Sequence, residues 1–312
     1  MDERGRDAEA GAPSWGGLPT EARHPGSADL DLLGAEAIVG LLLAEDRRGI
    51  ERTAARAGEL AVAARWVAEA FETGGVVLLV GAGTSGRLGV LEAAELPPTF
   101  GTDPARVRAA LAGGPDAVFA AREGAEDSAE DGRAAAADLG SGDLLVGISA
   151  SSVTPFVAGA LAAARQAGAR TLLLTCATPS GSLERQADLV VALDTGPEVL
   201  TGSTRLKAGS ATKAALNAVT TTAMVILGKV YQNFMVDLSA GSAKLRDRAV
   251  RIVAAAGEVP AAAAEGCLAA AGGEVKVAIV MARRGLDAET ARRRLAVAGG
   301  DVRAALGEPD RP

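Results

Sequence analysis

Histidine is almost missing from this chain of 312 residues: His24 is the only one, and Cys176 and Cys267 are the only cysteines. A Ser-His-Asp triad or a histidine-based zinc site therefore has little raw material. The two thiols lie far apart without metal-ligand spacing and read as ordinary buried side chains. Aromatic residues make up 3%, too few for base-stacking platforms. Positive charge is also short, with 32 Lys and Arg against 39 Asp and Glu and a net charge of −7, which argues against nucleic acid as a partner. No apolar run approaches the roughly 18 residues needed to cross a bilayer. The opening MDERGRDAEAGAPSWGG has no secretory apolar core. The expectation is a soluble, cytoplasmic protein with no membrane partner, metal or cofactor, whose acid–base chemistry rests on carboxylates or lysines.

What is present is a globular composition, 48% hydrophobic and 23% charged, with length enough for one large or two smaller domains. Residues 1–25, rich in Gly, Pro, Ala and charge, read as a disordered tail. Apolar residues then recur at helical spacing from Asp29 to Leu43, and a second, longer helix is predicted from about Arg47 to Phe71, closed by Gly74-Gly75. Short apolar runs follow at Val76–Val80, Val107–Leu111, Leu144–Ile148, Thr171–Thr175 and Leu189–Leu193. Such runs, alternating with helical patterns, predict a parallel sheet buried on both faces in a three-layer α/β fold. From about Val250 the chain is alanine-rich, with helices predicted near 261–271, 275–284, 288–298 and 302–306.

The first apolar run feeds VGAGTSGRLGVLEAAELPPTFG (80–101). A strand, a glycine turn and a helix start expose free N–H groups, and the hydroxyls of Thr84 and Ser85 with the Arg87 guanidinium suit a phosphate. Gly81, Gly83 and Gly86 spell GxGxxG, but the nearest acidic candidate for holding a ribose, Asp103, lies in a turn before the next apolar run and not after it, so a dinucleotide site is disfavoured. The helix is predicted to stop before Pro97-Pro98. That would put Glu95 in its last turn, where the negative pole favours a protonated carboxyl and a general acid is well served.

Two more stretches suit anions. Ser149, Ser151, Ser152 and Thr154 precede Pro155 at a helix start. Hydroxyls there commonly serve only as caps, but their density after a buried strand argues for phosphate binding. Ser203, Thr204, Arg205 and Lys207 open a helix expected to run to about Tyr231, and basic residues in a first turn oppose the dipole unless an anion offsets them. The acidic cluster Glu123–Asp131 reads by composition as a solvated helix start.

GAGTSGRLGVLEAAELPPTFG, GGPDAVFAAREGAEDS and TGSTRLKAGSATK closely resemble, in order, three motif blocks of the N-acetylmuramic acid 6-phosphate etherases, a family with the sugar-isomerase (SIS) fold. Thr20-Glu21-Ala22-Arg23 resembles the family's N-terminal segment, with His24 where the family has Asn. Ser152 and Val153 stand where the family usually has Gly and Arg, and Ser242 where it has Asn. The resemblance implies an SIS-type α/β/α sandwich at 76–245, N-terminal helices at 26–75 and a small helical bundle at 246–312.

It also implies an activity and a site. A family member cleaves the D-lactyl ether of its sugar 6-phosphate by elimination and hydration, and works as a homodimer. Glu126, the last glutamate of EGAE, falls on a catalytic position. Glu95 is assigned as proton donor to lactate and Glu126 as base, although spacing alone allows the exchange. Glu92, one turn before Glu95, reads as a supporting residue. Thr84, Ser85, Ser149, Ser151, Ser152, Thr154, Ser203, Thr204 and Lys207 are the expected substrate contacts. Gly86 to Glu95 spans about 13 Å of helix. So either the Ser149–Thr154 loop holds the phosphate near Glu95 or a neighbouring subunit completes the site. The alternative is a sugar-phosphate-binding regulator without catalysis, as glucokinase regulatory protein is.

Overall fold

The computed structural model describes residues 17–178, 183–238 and 243–309. All five apolar runs are strands: β1 (Val77–Gly81), β2 (Val107–Leu111), β3 (Leu144–Ser149), β4 (Arg170–Thr175) and β5 (Leu189–Ala192). They form one parallel sheet in the order β2-β1-β3-β4-β5. Side chains alternate between two cores. Val77, Leu79, Val146 and Leu174 pack on one face against α2 (Ala57–Glu72), α3 (Gly83–Phe100) and α6 (Lys207–Ile226). Leu78, Val80, Leu145 and Leu173 pack on the other against α4 (Ala129–Ala135) and α5 (Pro155–Gln166). Burial on both faces is why these strands read as unbroken apolar runs.

Two N-terminal helices form, but the break between them lies later than expected, so the stretch predicted as the second helix is shared by both. α1 (Ala35–Ala54) and α2 separate at Ala55-Arg56, where Arg56 leaves helical geometry and its guanidinium pairs with Asp194 at 2.7 Å. α6 ends at Ile226, short of Tyr231, and Gly228 (φ 69) turns the chain into the hairpin β6 (Val230–Tyr231) and β7 (Phe234–Met235). The acidic cluster forms a 3-10 turn (Ala125–Asp127), then α4, capped by Ser128 Oγ.

Two further expectations are corrected. α3 does not stop before Pro97-Pro98 but carries both prolines and ends at Gly101 in the left-handed conformation, its N–H bonded to Pro97 O at 2.9 Å. Leu96 and Phe100 are buried on either side of the prolines, and that tertiary anchorage overrides the local cost. Residues 1–16 of the expected disordered tail lie outside the described residues, but its end is packed. Pro19–Glu21 and Pro25–Ser27 are 3-10 turns, with Thr20 and His24 buried.

After the hairpin, α7 (Ala243–Gly257), α8 (Ala261–Ala270), α9 (Val275–Arg284), α10 (Ala288–Val297) and α11 (Val302–Leu306) enclose a separate core around Val253, Ile279, Val280 and Leu306. The sequence did not delimit α7. No single described helix is long and apolar enough to cross a membrane.

Candidate active site

β1 and β3 are neighbours, but the chain leaves them toward opposite ends of the sheet. Such a switch point opens a crevice at the strand C-termini where α/β proteins bind ligands. Gly81 pairs with Ile148, so the β1–α3 turn and the β3–α5 loop lie side by side, about one strand spacing apart. In the first, Gly81 and Gly86 allow the strand to touch the helix: a Cβ on Gly86 would sit 2.5 Å from Gly81 O. Gly83 (φ 53) faces open space, and Thr84 and Ser85 occupy the first helical turn, which no side chain caps. Its N–H groups therefore point into the crevice without a side-chain partner.

In the second loop Ser149 Oγ lies 2.8 Å from Thr154 Oγ1 and accepts from Ser152 N–H at 3.1 Å. Ser152 has φ 65, is 7% exposed, and its hydroxyl has no partner among the described residues. The left-handed backbone explains why the related family has glycine here. Ser151 and Thr154 are half-buried at the opening, and no side chain caps α5.

The third stretch meets the first. A Cβ on Gly209 would lie 3.5 Å from Thr84 Cγ2, so α3 and α6 begin beside one another. The anion at the start of α6 is internal: the Glu198 carboxylate accepts from Lys207 N at 3.1 Å and Ala208 N at 2.8 Å. Burial nonetheless pushes the Glu198 carboxyl up, against those two amides and the Lys207 charge. Lys207, expected to reach the ligand, turns inward to Glu45 Oε2 (2.7 Å) and Pro197 O (2.7 Å). His24 Nε2 stands 3.3 Å from the same carboxylate oxygen. Burial opposes the Glu45 charge, but Lys207, then His24 and Arg48, outweigh it and hold Glu45 below the usual carboxylate range. Ser203 and Thr204 stay half-buried at the turn.

The two candidate catalytic glutamates are well separated. Glu126 is exposed in its 3-10 turn and lines a cavity of about 200 Å³ with Ala82, Gly83 and Arg87. Arg87 is not offered to a ligand, since its guanidinium donates to Val118 O (2.9 Å) and Ala117 O (2.7 Å) and pins the loop that leads to Glu126. Glu95, also exposed, lies twelve residues after Gly83 on α3, about 18 Å along its axis. It stands more than one turn before the helix end, so it is not at the negative pole. The buried carboxyl of α3 is Glu92 instead. Burial pushes Glu92 up, while Thr220 and Lys213 pull part-way back and Glu95 adds to the rise. Thr220 Oγ1 bonds to Glu92 Oε1, and the Asn217 amide, oriented by its neighbours, donates to Oε2 at 2.9 Å and accepts from Lys213 Nζ at 2.8 Å. Lys213 and Asn217 had not been singled out, although their i, i+4 spacing on α6 was visible.

Known proteins resolve what this crevice belongs to. A protein from Rubrobacter xylanophilus named N-acetylmuramic acid 6-phosphate etherase is 50% identical over 302 residues, covering 95% of this chain and 98% of its own. The chain belongs to the N-acetylmuramic acid 6-phosphate etherase family. Relatives of the same name from Gloeobacter violaceus and Salmonella agona are 47% and 46% identical, covering 90% and 88% of this chain and 90% and 92% of their own. The model of the glucokinase regulatory protein N-terminal SIS domain matches residues 59–165 of this etherase-family chain. That match spans α2 to most of α5, so it contains the switch-point crevice.

Proposed function

We infer that this protein is a carbon–oxygen lyase that cleaves the D-lactyl ether of N-acetylmuramic acid 6-phosphate to N-acetylglucosamine 6-phosphate and D-lactate. The near-full-length likeness to proteins of that name carries the reading. The likeness to the glucokinase regulatory domain is confined to 59–165, so a purely regulatory role is not favoured.

The phosphate would sit in the crevice, on the first-turn N–H groups and hydroxyls of Thr84 and Ser85, on Ser149, Ser151, Ser152 and Thr154, and beside Ser203 and Thr204. Lys207 would act from behind by holding Glu45, and so keeping the 198–209 turn in place. Ring opening exposes an aldehyde at C1, which makes the C2 proton removable. Glu126 takes that proton, the C3–O bond breaks as Glu95 protonates the departing lactate oxygen, and water then adds across the C2–C3 double bond. A charged sugar phosphate does not cross a bilayer unaided, so enzyme and substrate must share one compartment, which we take to be the cytoplasm.

Because Glu126 borders Gly83 while Glu95 lies far along α3, the reading requires a homodimer in which Glu95 of one copy serves the crevice of the other. Exposed apolar side chains on two helices support this: Val39 and Leu43 on α1 are 54% and 64% exposed, and Leu91, one turn before Glu95 on α3, is 42% exposed. The test is D-lactate release by purified protein. Wild type is expected to release it and Glu95→Gln and Glu126→Gln are not. Full release by both variants would leave the etherase and overturn the glutamate assignment.

A further inference from the structure

Lys213 is an exposed lysine with no ion pair among the described residues. Its ammonium makes one hydrogen bond, to the Asn217 oxygen at 2.8 Å. An ammonium has three donors, so two remain for a ligand. The Asn217 amide is fixed at its other end by Glu92 Oε2 at 2.9 Å, and Glu92 is fixed by Thr220. The lysine is thus held by a chain of bonds rooted in the α3–α6 seam rather than swinging free. Burial opposes the charge on Glu92, while Thr220 and the Lys213 charge favour it. Glu95 lies one turn from Glu92 on the same side of α3, close enough for its charge to act on Glu92, as does that of Lys213. Lys213 and Glu95 therefore both stand within electrostatic reach of the one Glu92 carboxyl.

We propose that Lys213, positioned by Asn217, is the receptor for the carboxylate of the departing lactyl group and makes this site selective for carboxylate-bearing ethers. The inference rests on the etherase reading, in which Glu95 protonates the ether oxygen. In a lactyl ether that oxygen is two bonds from the carboxylate carbon, so a cation within reach of Glu95 meets the carboxylate in the same pose. A charge-assisted pair there also orients the ether oxygen toward the Glu95 proton. The hydroxyl-rich contacts in the crevice are suited to phosphate, and the exposed Arg205 beside Thr204 is the cation on that side. Lys207, at the start of α6, is already paired with Glu45.

The experiment compares two substrates on wild type, Lys213→Met and Lys213→Arg: the lactyl ether and its lactamide analogue, in which the carboxylate is an uncharged amide. Wild type and Lys213→Arg are expected to prefer the acid by about 10- to 100-fold in kcat/KM, the range of a hydrogen bond to a charged group. Lys213→Met should lose that preference while keeping the wild-type melting temperature, since the residue is exposed. Equal loss on both substrates would overturn the carboxylate assignment and leave the etherase standing. D-lactate binding, measured by calorimetry in the presence of N-acetylglucosamine 6-phosphate, separates the two claims. If wild type turned over neither substrate yet bound D-lactate only with Lys213 present, the etherase reading would fall and the carboxylate site would stand. Lactate binding unchanged in Lys213→Met would overturn the proposal.

Discussion

Lys207 Nζ lies 2.7 Å from Glu45 Oε2, with each side chain only 4% exposed. The pair joins α1 to the start of α6, and His24 and the Pro197 carbonyl complete its surroundings. A buried pair of this kind adds little net stability over well-packed apolar residues, but breaking one partner leaves a charge stranded.

Lys207→Met should therefore cost about 3–5 kcal/mol of folding stability. The double change Lys207→Met with Glu45→Leu should recover most of it. Urea denaturation of wild type, Lys207→Met, Glu45→Leu and the double variant measures this, and strict additivity of the two single effects would contradict it. The pH dependence has a fixed sign. Glu45 is held below its ordinary value of 4.5, so its contribution is complete above that value and is lost as pH falls through the lower, folded value. Glu45→Gln should flatten this acid limb.

A reversed slope belongs to Glu92, whose carboxyl is pushed above 4.5, mainly by burial. Its contribution is complete below pH 4.5 and is lost as pH rises through the higher, folded value. Thr220 Oγ1 also lies 3.1 Å from Leu216 O. With its own proton directed there, it can accept one from a protonated Glu92. Glutamine reproduces that pattern, donating to Thr220 and accepting from Asn217. Glu92→Gln should thus be at least as stable as wild type at pH 8 and lack the slope. A loss above about 2 kcal/mol, the scale of a stranded buried polar group, would show that Glu92 is held as the anion.

Ser152 combines a left-handed backbone with an unpartnered buried hydroxyl. Ser152→Gly should stabilise the free protein by about 1 kcal/mol through relief of the backbone cost. Ser152→Ala keeps the backbone cost and removes only the hydroxyl. If that hydroxyl contacts the phosphate, Ser152→Ala should raise KM with little change in melting temperature. Equal KM for wild type and Ser152→Ala would remove Ser152 from the phosphate contacts.

These three sites also mark where the sequence was legible. Strands buried on both faces announce themselves as apolar runs, so β1 to β5 were found nearly residue by residue, and so were most of the C-terminal helices. The glycine turn and the hydroxyl loop after β3 were recognisable because free N–H groups and small side chains suit an anion whatever surrounds them. Lys207 was misjudged because its partner Glu45 lies 162 residues away, and no local pattern reports such a pairing. Pro97-Pro98 misled for the same reason, since the burial of Leu96 and Phe100 that holds the helix together is tertiary. The Pro19–Ser27 segment has the composition of a tail, yet Ser27 Oγ donates to Val199 O at 2.7 Å and the segment packs on the 198–209 turn. Ser242, another departure from the family pattern, lies outside the described residues.

The distance between the two glutamates leads to the last prediction. If each site takes Glu95 from one copy and Glu126 from the other, Glu95→Gln and Glu126→Gln homodimers are both inactive. A mixed dimer of the two variants then holds one site with both carboxylates and one with neither. Unfolding and refolding an equimolar mixture gives half mixed dimers, so activity should return to about a quarter of wild type, as two-fold symmetry requires. Val39→Glu and Leu43→Glu together place charge on the exposed apolar face of α1. If that face is the interface, they should yield a monomer by light scattering and abolish the recovery. Recovery without dimers would refute the shared site, and so would dimers in which mixing restores nothing. In either case both glutamates would have to meet the substrate within one chain, which α3 could allow only by bending well away from its present course.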